Sequence, residues 1–199
     1  MIVISDTTPI ISLLKINRLE LLEKLFGTVQ IPKGVFSELT ENQRFQNEAK
    51  IVKASSFIQV VNEIDENYVS LLRRSTGLDL GESEAIYLSD NGKADLLLMD
   101  EVRGREVATR MGIRIMGTIG ILTIAYEDSL ISKDEIIEAI ETLRDAGRHI
   151  SERLYEQLMN MIDNADEFLY YAFWLNHHHT CVVSTMTWFF AIDRARTAR

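Results

Sequence analysis

The chain has 199 residues, 46% of them hydrophobic, and a formal net charge of −9. That supports one domain with a substantial core and argues against a protein that coats nucleic acid through bulk positive charge. The single Cys181 excludes an internal disulfide framework and no apolar run can span a bilayer, so without a basic, apolar leader a cytoplasmic protein is expected.

Strand-like runs fall at 2–5, 28–31, 57–61, 95–99 and 113–115. Helical patterns lie between and after them, at 9–16, 19–25, 33–39, 43–54, 66–75, 81–91, 103–111, 119–129, 133–146 and 152–162. Strands apolar on both faces and separated by helices predict a parallel sheet covered on both sides. Right-handed crossovers then bring every strand's C-terminal end to one edge, where open α/β sheets bind ligands. Thr7 or Thr8 suits a helix cap with Pro9 in the first turn, and Pro32 opens a later helix in the same way.

Acids gather at that predicted edge. Asp6 follows the first strand and Asp100 follows "ADLLLM". Glu38, in "IPKGVFSELT", lies on the helix after the second strand, and Glu82, in "LDLGESEAIYLS", opens the helix before the Asp100 strand. Four converging carboxylates repel one another unless a cation neutralises them. An all-oxygen set suits Mg²⁺ or Mn²⁺ rather than zinc, and such an ion activates water and stabilises a phosphoryl transition state. Each acid also has a plainer role. Asp6 and Asp100 suit helix caps, Asp79 and Glu82 have capping-box spacing, and Glu38 suits a solvated helix face.

The stretches "IVISDTTPIISLLKINRLELLEKLFGTVQIPKGVFSEL" and "LDLGESEAIYLSDNGKADLLLMDEVRGREVATRMGIRIMGTIGIL" carry a resemblance. Over about residues 1–150 the chain resembles the PIN-domain superfamily, closest to VapC-like prokaryotic proteins. The resemblance implies a three-layer α/β/α fold with a central, mainly parallel sheet of about five strands. It also implies a Mg²⁺- or Mn²⁺-dependent ribonuclease, in many members the toxin of a toxin–antitoxin pair, with RNA as substrate, a cognate antitoxin as partner and a homodimeric state. Carried over by position, the catalytic and metal-holding acids are Asp6, Glu38, Glu82 and Asp100. Glu84 competes with Glu82 for the third place but points away from it two residues on, and a glutamate there departs from the commoner aspartate.

Thr7, Thr8, Glu101 and Thr118 are expected to orient the ligands. Arg103 and Arg105 are expected to meet RNA phosphates, with Arg110, Arg114, Lys15 and Arg18 as further candidates. The implied organisation is a nuclease domain at 1–150, a C-terminal helix packed on it at 151–165, and an atypical tail at 166–199. The tail reads as a non-native or disordered extension, or a partner-binding arm; its "HHHTC" lacks finger spacing for zinc. The main alternative function is a catalytically weak or inactive PIN-fold module that binds nucleic acid or protein. A phosphatase or receiver domain also places aspartates at strand ends, but it would need a second acid where Thr8 stands or an acidic pair at the first strand.

Overall fold

The computed structural model describes residues 1–41, 46–148 and 150–163. Its five strands are β1 (Val3–Ser5), β2 (Val29–Pro32), β3 (Ile58–Val61), β4 (Leu96–Leu98) and β5 (Ile115–Met116). They form one sheet in the order β3-β2-β1-β4-β5, and every pairing is parallel. The chain therefore steps outward from β1 through β2 to β3, then returns to place β4 on the other flank of β1. That reversal is the switch point at which open sheets form a ligand crevice. Ser5 pairs with Leu98, and the Asp6 amide donates to the Leu98 carbonyl at 2.9 Å.

The helices of the first compact unit, residues 1–149, are α1 (Thr7–Lys15), α2 (Leu21–Phe26), α3 (Lys33–Glu41), α4 (Gln46–Ala54), α5 (Glu66–Thr76), α6 (Leu80–Asn91), α7 (Val102–Arg110), α8 (Thr118–Glu127) and α9 (Lys133–Asp145). One face of the sheet is covered by α6, flanked by α5 and α7, and here Ile4, Ile86, Leu97 and Met99 lock together. On the other side α1, α2, α8 and α9 pack with one another and bury Ile10, Leu13, Leu22, Ile121 and Ile140. Each such side chain contributes roughly 1.5–3 kcal/mol by leaving water. The result is the expected three-layer α/β/α arrangement, with the sheet parallel throughout. Helix α3 touches α1 on one side and α6 on the other, which carries Glu38 towards the crevice.

Local boundaries differ from the sequence expectation where backbone closure overrides pattern. Of the two cap readings, the one at Asp6 holds: Asp6 is the N-cap of α1, without a side-chain bond to the helix, and Thr7 and Thr8 lie in the first turn. Pro32 ends β2, and α3 begins at Lys33. Ile113 does not open β5. Gly112 adopts a left-handed conformation (φ 79°), and the Ile113 amide turns back to the Ala108 carbonyl to close α7, so β5 starts only at Ile115. The first part of the helix expected at 43–54 lies outside the described residues, as does the tail at 166–199.

A second unit spans residues 150–199. Its described part is helical over 152–163, opened by the Ser151 hydroxyl accepting the Leu154 amide at 3.3 Å. Among the described residues, no helix is long and apolar enough to cross a membrane.

Candidate active site

Asp6 stands at the tip of the central strand, where only 3% of its surface is exposed. Burial pushes its carboxyl up to about 7, opposed in part by the Thr7 backbone amide and reinforced by Asp79, Glu82 and Glu38. Burial likewise raises Glu38 and Glu82 above the usual glutamate range. Asp79 and Glu84 add to the push on Glu38; Asp79, Glu101 and Glu38 add to that on Glu82. The charges acting on these three groups are all carboxylates. Three of the four sequence-derived acids thus share one electrostatic environment, assembled from β1, α3 and α6.

Hydrogen bonds orient the members. The Thr7 hydroxyl donates to Glu38 Oε2 at 2.5 Å. Glu82 and Asp79 close a reciprocal capping box: the Glu82 amide donates to Asp79 Oδ1 at 2.8 Å, and the Asp79 amide to Glu82 Oε2 at 2.9 Å. Asp100, at the end of the neighbouring strand, serves another helix. Its Oδ1 accepts the Thr118 amide at 2.7 Å and its Oδ2 accepts the Thr118 hydroxyl at 2.5 Å, so it satisfies the start of α8. Asp100 is absent from the charges that act on Asp6, Glu38 and Glu82. Thr8 reaches Glu101 only at 3.5 Å, the weak limit of a hydrogen bond.

The arginines take different places. Arg105 Nη1 donates to the Met99 carbonyl at 2.9 Å, and a Cβ built on Gly117 would meet both Asp100 Oδ1 (2.7 Å) and this guanidinium (3.2 Å). Arg103 is exposed, with its guanidinium 3.1–3.2 Å from a Cβ built on Gly77, in the turn before Asp79. Arg18 pairs with Glu135 at 2.7 Å and Arg110 with Glu106 at 3.5 Å, so both already meet carboxylates.

The spacing of Asp79 to Glu82 predicts only a cap, yet the Asp79 carboxylate bears on Asp6, Glu38 and Glu82 together. Its position at a helix start on the edge that holds Asp6 was the available signal.

A family model described as DUF3368, PIN domain, matches residues 2–164. The chain belongs to the PIN-domain family. No curated protein matches it. PIN domains are in general nucleases, act on nucleic acids and typically use divalent metals. This PIN domain fits such an ion in donor chemistry, because Asp6 is buried among acids with only carboxylate charges acting on it. Among the described residues, no three Asp, Glu, His or Cys side chains already converge at ligand spacing.

Proposed function

We propose that the protein is a metal-dependent endoribonuclease that hydrolyses RNA phosphodiester bonds. One observation carries the reading: a buried carboxylate, Asp6, faces three further acids with no offsetting positive charge among them. Asp6, Glu38, Glu82 and Asp100 would hold one or two Mg²⁺ or Mn²⁺ ions, which when bound lower the pKa of a water and neutralise charge on the reacting phosphate. The protein's own groups prepare that site. Thr7 fixes Glu38, Thr118 fixes Asp100, and the Leu98 carbonyl of β4 anchors the Asp6 amide. Arg103, exposed beside the Gly77 turn, supplies positive charge for the RNA backbone, while Arg105 braces the Asp100 strand end. The VapC-like resemblance supports a toxin role, with an antitoxin partner and a homodimeric state.

The test compares the wild type with Asp6→Asn on labelled RNAs in Mg²⁺ or Mn²⁺. Cleavage should need the metal and fall by at least about a hundredfold in the variant, equivalent to about 2.7 kcal/mol of transition-state stabilisation. Undiminished cleavage by a folded variant overturns the proposal. A second reading, a PIN fold retained for binding only, is favoured by the engagement of both Asp100 oxygens and Glu82 Oε2 in helix caps. It expects RNA binding without metal-dependent cutting by the wild type.

A further inference from the structure

Helices α3 and α6 meet through two mirrored contacts. Near the start of α3, the Gly34 amide donates to Glu84 Oε2 of α6 at 2.7 Å. A Cβ on Gly34 would stand only 2.6 Å from that oxygen, so an added methyl would push the Glu84 carboxylate aside. One turn along, Glu38 of α3 lies over Gly81 of α6, where a Cβ would meet its two oxygens at 3.1 and 3.2 Å. Each helix thus offers a glycine to a glutamate of the other, with the chains antiparallel across the seam. Helix α3 has no acid in its own first turn, and Glu84 supplies one from outside. A carboxylate on an otherwise unpaired first-turn amide is among the stronger hydrogen bonds.

We propose that Glu84 is a positioning residue for the metal site. By holding the first turn of α3 against α6, it sets where Glu38 stands relative to Asp79 and Glu82. The inference rests on the reading of Glu38 as a metal ligand. Glu84 works through the oxygen that accepts the Gly34 amide, a contact that a neutral acceptor can also make. The neutral isostere should therefore preserve the function.

The experiment measures Mn²⁺ affinity by calorimetry, at a temperature where every variant is folded, and hydrogen exchange of the Gly34 amide by NMR. Glu84→Gln should bind Mn²⁺ as tightly as the wild type or tighter, with Gly34 still protected. Glu84→Ala should lose about tenfold in affinity, the scale of an outer-sphere orienting contact, and expose Gly34 to exchange. Gly34→Ala provides a second route: its methyl displaces the Glu84 carboxylate while favouring the helix, so a matching affinity loss would not reflect unfolding. Equal losses in Glu84→Gln and Glu84→Ala would make Glu84 a ligand and overturn the proposal. So would full affinity in Glu84→Ala alongside a loss in Glu38→Gln, which leaves the site reading intact. Full affinity in Glu38→Gln removes the site reading itself, and the positioning role with it.

Discussion

The starts of α6 and α9 are built from the same local motif and experience opposite electrostatics. In both, a short polar cap accepts the amide of a glutamate three residues on, and that glutamate bonds back to the cap amide. At α9 the pair is Ser132 and Glu135. Bonds from Ser132 and the nearby Arg18 hold the Glu135 carboxyl below the usual range. At α6 the pair is Asp79 and Glu82, and burial among acids drives Glu82 the other way. A motif that stabilises a helix in one place carries a repelling charge in the other. The contrast shows that capping geometry explains why Glu82 is ordered but not why it is surrounded by carboxylates.

The sharpest way to test this contrast is through pH. The Asp6 carboxyl rises from 3.8 to about 7 on folding, so between those values the folded chain holds a proton that the unfolded chain has released. Stability of the metal-free protein should therefore fall as pH rises across that window, with the full penalty present above about 7. At about 1.4 kcal/mol per pKa unit the loss reaches at most about 4 kcal/mol, or roughly 10 °C in Tm for a chain of this size. Thermal melts in EDTA from pH 5 to pH 8 measure it. Asp6→Asn should flatten the curve and raise Tm at pH 8, while Mn²⁺ should do the same for the wild type. A flat wild-type curve in EDTA would erase the electrostatic distinction between the two regions.

Parallel substitutions at the two boxes should have the next largest effect. Glutamine keeps the bond to the cap amide and removes the charge. Glu82→Gln should raise the metal-free Tm at pH 8 by a few degrees, whereas Glu135→Gln should lower it slightly. Equal shifts of the same sign would break the comparison. A smaller effect is expected from Arg18→Ala, because its pair with Glu135 is partly exposed; the urea midpoint should fall only slightly.

Much of the fold was legible because apolar strands and amphipathic helices alternate from Val3 to Leu143. Buried segments such as "ADLLLM" have few ways to satisfy both faces. Asp6 was legible for the same reason, as an acid at the tip of such a strand. The Asp79–Glu82 capping box was legible from its three-residue spacing, whereas the long-range partners of polar side chains were not. Asp100 and Thr118 are 18 residues apart, and no local spacing rule links a strand end to the start of α8. Glu84 was read only as a rival to Glu82. Its partner, the Gly34 amide, lies 50 residues away, and the contact exists because α3 and α6 cross at two glycines. Ile113 read as strand because it is β-branched, while the turn at Gly112 committed its amide to helix closure.

The return of the chain to place β4 beside β1 has a temporal consequence. Asp6, Glu38, Asp79 and Glu82 are all present once the first 82 residues have been synthesised, but the strand that accepts the Asp6 amide ends only at Leu98, and Asp100 follows it. A nascent chain that has not yet exposed Leu98 lacks the β4 flank of the crevice. The strand that completes the crevice beside β1 and the last proposed ligand, Asp100, are therefore supplied by one short stretch of chain.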